Sequence, residues 1–167
     1  MNEEAPTNEP PAVNPEIEAL KQQVEAHPDD PALLIKLGQA WMKDLNGEEA
    51  LKVFRKAAQL DPENPRVHFW LAKAFDALNR CEEMIDAFRE AAYLDPEWAE
   101  AQYNLGLAHM VVGEYDEAGE AFMKAVEIQS DYAEAHRVLS VVLAIQGQKE
   151  ASQHHKQEAA RLNPEFR

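Results

Sequence analysis

The feature that most constrains this chain is a spacing of 34 residues that recurs along most of its length. Leu60-Asp61-Pro62-Glu63 and Leu94-Asp95-Pro96-Glu97 stand one period apart. Leu162-Asn163-Pro164-Glu165 follows two periods later, with Ser130 where the intervening proline would fall. The same interval separates Phe54, Phe88 and Phe122, and also Leu37, Leu71, Leu105 and Leu139. Ala57, Ala91, Ala125 and Ala159 keep it as well. A period of that length means one small supersecondary unit, repeated, with each copy burying its apolar face against its neighbours. The spacing divides the chain into four gapless units, 31–64, 65–98, 99–132 and 133–167, the last one residue longer.

Each unit reads as two helices. In the third, Ala101, Leu105, Ala108 and Val112 recur at steps of three to four, as one buried helical stripe does. Gly113-Glu114 interrupts, and a second stripe runs through Tyr115, Ala118, Phe122, Ala125 and Ile128. Gly38, Ala72, Gly106 and Ser140 occupy one register, where missing bulk lets two helices approach. Phe54, Phe88 and Phe122 are the knobs that fill the space between helices, and Leu60, Leu94 and Ile128 close each unit onto the next.

Ahead of the repeats, residues 1–13 form an acidic tail with prolines at 6, 10 and 11. Val13 is its only sizeable aliphatic side chain, too little to offset ordering, so the tail reads as disordered. Asn14-Pro15 is a helix start, with asparagine as cap and proline in the first turn. Ile17, Leu20 and Val24 share one side of that helix, which must stop before Pro28. Segment 14–30 is therefore a capping helix over the first unit, and helix 148–162 the cap at the other end. There the knob position holds Lys156, surrounded by His154, His155 and Gln157, as a water-facing terminal helix requires.

Composition narrows the function. Apolar residues make up 46% and charged residues 28%, enough for a packed core. Acids outnumber bases 31 to 16, for a net charge of −15. A field of that sign repels polyanions and argues against nucleic acid or an anionic membrane as the main partner. No apolar run reaches the roughly 18–20 residues of a membrane span, and Met1 to Pro6 is neither basic nor apolar, unlike a secretory signal. Cys81 is the single cysteine, so no intrachain disulfide can form, which suits a reducing, cytoplasmic setting.

The repeat resembles the tetratricopeptide repeat. The third unit carries the resemblance most fully, through Leu105-Gly106, Gly113, Tyr115, Ala118, Phe122 and Ala125. The first shows Leu37-Gly38, Trp41, Ala50, Phe54, Ala57 and Pro62, and the second Leu71-Ala72, Phe75, Phe88, Ala91 and Pro96, with Met84 at the usual alanine position. The fourth is eroded, with Ser140, Ser152 and Lys156 at family positions for small or aromatic residues. The resemblance implies an all-α, right-handed solenoid of four repeats plus an N-terminal half-repeat. It also implies that partners lie against the first helix of each unit, on the concave side.

Carried onto this chain, the family's partner-facing positions include Lys36, Gln39, Lys43, Arg66, Phe69, Trp70, Lys73, Tyr103, Asn104, Leu107, Met110 and Arg137. Val111, Val138, Val141 and Ile145 extend the same wall. The charge distribution agrees: the four first-helix segments sum to +1, and the rest of the chain to −16. Such a wall suits a peptide or protein with apolar anchors and some acidic residues, the aromatics giving area and the bases steering. A subset of the family grips the acidic end of heat-shock chaperones with lysines and asparagines. Here Ile35 and Gln39 stand at clamp positions, and a frame shifted by one unit keeps Asn104 but brings Phe69, Glu134 and Val138, so that ligand is not expected.

No motif supplies a nucleophile, a base and an orienting group together, so neither a catalytic residue nor a cofactor is expected. Acid pairs such as Glu82-Glu83 and Asp116-Glu117 sit at second-helix starts, where the helix dipole favours them. His154 and His155 are adjacent and point about 100° apart on a helix, so they cannot share a metal by themselves. His68 and His136 occupy equivalent positions, which suggests a role in repeat packing, and His109 stands at an aromatic core position. The expected function is a non-enzymatic, monomeric interaction scaffold or adaptor. A self-assembling scaffold and a peptide-modifying or metal-dependent enzyme are the alternatives.

Overall fold

The computed structural model describes residues 14–166; the expectation for the tail falls outside them. Among the described residues there are nine α-helices, one short 3-10 turn and no strand. In chain order they are α1 (Pro15–Ala26), α2 (Pro31–Lys43), α3 (Gly47–Leu60), α4 (Pro65–Ala77), α5 (Cys81–Leu94), α6 (Ala99–Val112), α7 (Tyr115–Ile128), α8 (Ala133–Ile145) and α9 (Lys149–Leu162). The 3-10 turn, Pro164–Phe166, follows.

Local chemistry starts and stops these helices. Proline opens α1, α2 and α4, where its missing N–H has no partner to lose. The caps Asn14, Asp30, Asn46 and Asn64 accept from backbone N–H groups of the first turn at 2.9 to 3.4 Å. Between the two helices of each pair the chain reverses through a left-handed residue, always in one register: Leu45 (φ 57°), Asn79 (56°), Gly113 (82°) and Gly147 (78°). Glycine adopts that conformation freely, and leucine does so at a cost.

Packing then builds a solenoid. Helices pair as α2/α3, α4/α5, α6/α7 and α8/α9, and each second helix packs on the first helix of the next pair. The aromatic knobs explain the small residues. The Phe122 ring fills the position that a Cβ on Gly106 would take, and Phe54 does the same at Gly38. Phe54, Phe88 and Phe122 are all buried, each contributing about 1.5–3 kcal/mol of transfer free energy. In the fourth pair Ser140 replaces the glycine, and Ser152 Oγ donates to its carbonyl at 2.7 Å. A hydrogen bond between α8 and α9 thus stands where other pairs use a ring on a small residue.

The ends are closed differently. Over the first pair, α1 buries Ile17, sets Glu16 against Lys43 at 3.3 Å and brings Lys21 over the Trp41 ring. At the other end Ala159 is the one buried residue of α9, so that helix faces water. Leu94 and Ile128 are half-buried, and Leu60 is somewhat more open at 39% exposure.

Candidate partner-binding groove

The wall formed by α2, α4, α6 and α8 holds all twelve residues that the sequence singles out, but not in equal roles. Lys36, Lys43 and Arg66 are exposed, and Gln39, Trp70, Lys73, Asn104, Leu107 and Met110 are half-buried. Lys43 is engaged by Glu16 of α1. Trp70 stacks on Phe54 with ring centres 6.0 Å apart, leaving part of its indole outward. Asn104 Nδ2 donates to the Glu100 carbonyl at 2.8 Å.

Phe69 is a correction. It is buried at 5% exposure and packs against Trp98, Phe88 and Trp70, so it belongs to the core and not to an open surface. The cause is a repeated pairing that short-range periodicity does not reveal. In the second, third and fourth pairs the fifth residue meets the residue 29 positions later. Phe69 meets Trp98 with ring centres 4.7 Å apart, and Tyr103 meets Tyr132 at 5.0 Å. In the last pair the Arg137 guanidinium lies 5.4 Å from the Phe166 ring. At Phe69 and Tyr103 this register faces along the stack, so Tyr103 is half-buried by the chain itself, whereas Arg137 stays exposed beside the Phe166 ring.

Electrostatics follow from that burial. Desolvation raises the Tyr103 phenol above its ordinary value, with Arg137 partly opposing. Tyr132 is pushed up to about 12, first by burial and then by Tyr103, Glu100 and Glu134. Both hydroxyls stay neutral over the physiological range.

The structure brings Lys73, Asn104, Leu107 and Met110 together. They line a cavity of about 400 Å³ between α4 and α6, with Asp76 and Val111 at its mouth and Met84, Phe88 and Ala108 beneath. Beyond it the wall turns apolar: Val111 is 65% exposed, Ile145 53% and Val141 45%. The wall is thus mainly basic and polar along α2 and α4, and mainly aliphatic along α6 and α8, where Arg137 is the exposed base. Val138, placed on this wall by register, is buried.

Four of the six histidines are tied into the fold by hydrogen bonds. His68 Nε2 bonds the Pro62 carbonyl at 2.7 Å and His136 Nε2 the Ser130 carbonyl at 3.1 Å, so one device closes the same turn in two repeats. His109, buried, bonds Glu114 through Nδ1 at 2.7 Å. His155 reaches across from α9, its Nδ1 2.9 Å from that of His136. Among the described residues no group of three or more His, Cys, Asp or Glu side chains could hold a metal ion. Gly119 lies against Val142 of α8 and against Gln146, the residue that follows it, which accounts for a glycine within α7. Among the described residues, no helix is long and apolar enough to cross a membrane. One residue that sequence reasoning passed over is Gln102, buried at 6% exposure on the other side of α6. Its register was the available signal, since it matches that of His68 and His136.

Paired helices stacked in one direction, with an open wall on the first-helix side, define a helical-repeat protein. Family models agree: a TPR repeat model matches residues 47–79, and tetratricopeptide repeat models match 65–97 and 99–132. The chain belongs to the tetratricopeptide repeat family. Among solved structures it is similar to a crystal structure of MamA, at 26% identity, over 89% of this chain and 87% of that one, with a TM-score of 0.82. MamA 41-end from Desulfovibrio magneticus RS-1 shares the fold at 20% identity, 89% and 84% coverage and a TM-score of 0.79. YrrB, described as a TPR protein with an unusual peptide-binding site, shares it at 20% identity, 89% and 76% coverage and a TM-score of 0.74. No curated protein matches by sequence.

Proposed function

We propose that this protein is a non-enzymatic interaction scaffold that holds a partner polypeptide against the wall of α2, α4, α6 and α8. The observation that carries this reading is the cavity between α4 and α6. There the Lys73 ammonium and the Asn104 amide stand beside the aliphatic side chains of Leu107, Met110 and Val111. Exposed aliphatic residues clustered on one face mark a surface that another molecule covers. The partner chemistry follows from the wall: apolar anchors for α6 and α8, and acidic residues for Lys36, Arg66 and Lys73. Phe69 takes no part in contact, and Trp70 offers the accessible aromatic surface. MamA and YrrB share the architecture, and the peptide-binding site ascribed to YrrB is in keeping with the reading.

The test is capture of partners from lysate by the full chain, followed by peptide mapping, with Trp70→Ala, Lys73→Glu and Val141→Glu compared with the wild type. Loss of the same captured protein in all three supports the wall as the site. Capture unchanged in all three rejects it. Light scattering over a concentration series separates this reading from self-assembly, which predicts a mass that grows with concentration.

A further inference from the structure

Away from the wall, α5 and α7 both pack on α6 and leave a crevice between them. Two cavities, of about 520 and 180 Å³, open along it. They share Arg89 from α5, Lys124 from α7, and Gln102 and Leu105 from α6.

Gln102 is the anomaly. At 6% exposure it is among the most enclosed polar side chains of the protein. A buried amide is costly unless it is hydrogen-bonded. The repeat supplies its own controls at this register. His68 bonds the carbonyl of Pro62 and His136 that of Ser130, each six residues earlier. Leu34 has nothing to bond. Gln102 and Pro96 line the same cavity, yet the Gln102 side chain makes no hydrogen bond to another described residue. No fully enclosed side-chain nitrogen or oxygen lacks a partner among those residues, so the carboxamide keeps a narrow contact with solvent, and Gln102 lines both cavities of the crevice. There it offers a donor and an acceptor side by side.

Charge is ordered along the crevice. At its middle Arg89 and Lys124 stand on opposite walls. Arg89 also meets Asp86 at 2.6 Å, and Lys124 forms no ion pair among the described residues. Glu97 and Glu127 lie toward one end, Glu117 and Glu120 toward the other. On the side of the larger cavity, Tyr93 is 76% exposed beside Pro96 and Ile128. Tyrosine and arginine at a concave site are the side chains that most often carry binding energy.

We propose that this crevice is a second binding site, for an extended polypeptide segment that sets a peptide group against the Gln102 carboxamide and a carboxylate between Arg89 and Lys124. A peptide group presents the N–H and C=O that a carboxamide complements. Residues flanking the carboxylate meet acids, so the segment is basic or neutral on either side of it. Its apolar end covers Tyr93. This site is independent of the wall formed by the first helices.

The probe is a phage-displayed library of random dodecapeptides panned on the full chain. The selected peptides are synthesised and their affinities measured by fluorescence anisotropy on the wild type and on Gln102→Leu, Lys124→Glu and Lys73→Glu. Leucine is accommodated at this register, as Leu34 shows, and Lys124 is exposed, so both crevice variants should fold; thermal melts verify it. The expected result is a class of peptides with a central Asp or Glu flanked by Lys or Arg. Its affinity falls about tenfold or more in Gln102→Leu and in Lys124→Glu, and is unchanged in Lys73→Glu. A library without binders overturns the proposal, and so do binders indifferent to both crevice variants. Peptides sensitive to Lys73→Glu alone leave the first-helix wall standing and remove the crevice.

Discussion

The ring of Phe122 occupies the space in which Gly106 would carry a side chain: a Cβ built on Gly106 would lie 2.7 Å from Cε1 and 2.8 Å from Cδ1 of that ring. Both residues are buried, so neither the ring nor the backbone can retreat into solvent. Gly106→Ala is expected to destabilise the chain by about 1–3 kcal/mol through overpacking, outweighing a gain of about 1 kcal/mol in helix propensity. Urea denaturation measures it. The double variant with Phe122→Leu should recover part of the loss, and a second cost that simply adds to the first would mean that the ring is not the cause.

Leu45 breaks two rules at once, being 93% exposed and left-handed at φ 57°. Two of its register mates, Gly113 and Gly147, are glycines. Leu45→Gly should stabilise the folded chain by about 0.5–1 kcal/mol, the relief of about 1–2 kcal/mol of strain less the added chain entropy. A thermal melt that falls instead would show that the leucine buries itself against something in solution.

The cap at the C-terminal end is expected to loosen in acid. His136 Nε2–H donates to Ser130, so its Nδ1 accepts and the Nδ1–H of His155 donates to it. Burial holds the His155 imidazole below its ordinary 6.5, helped by His136 and His154 and opposed by Glu158. Folding thus favours the neutral ring. Its contribution is complete above pH 6.5 and is lost as pH falls through that value toward the lower folded one. Melting temperature should drop from about pH 7 to about pH 5, and drop less in His155→Gln. Equal drops in the two proteins would exclude the histidine pair as the cause.

At the alkaline end the sign is set by Tyr132, whose phenol is pushed up to about 12. The neutral form is favoured by folding. Its stabilisation is complete below pH 10, where the unfolded phenol begins to ionise, and is lost as pH rises through about 12. Tyrosinate absorbance should show a late step near 12 that Tyr132→Phe removes. A late step that survives the substitution would assign it to another tyrosine.

Much of the architecture was legible because it is local and repeated. The helices, the N-cap at Asn14, and the small residues facing Phe54 and Phe122 depend on neighbours a few residues away or on one fixed interval. Periodicity displays both. The wall was legible only in part. Lys73, Asn104, Leu107 and Met110 converge on one cavity because register alone sets which face of α4 and α6 they occupy. Phe69 does not join them, because its environment depends on Trp98, a residue of another turn whose position no helical period announces.

By itself, the order of residues determined the helices and their pairing, since a 34-residue recurrence of bulk and smallness repeats one mutual burial in each unit; the direction of stacking was an expectation from the family resemblance. Tertiary structure alone decided which polar and aromatic groups are spent inside the molecule and which face outward. His136 and Gln102 share a register and meet opposite fates, one bonded to a turn carbonyl and the other lining a crevice without such a bond. A hydrogen bond is fixed by angles and by tenths of an ångström, and those are known only once the helices are docked.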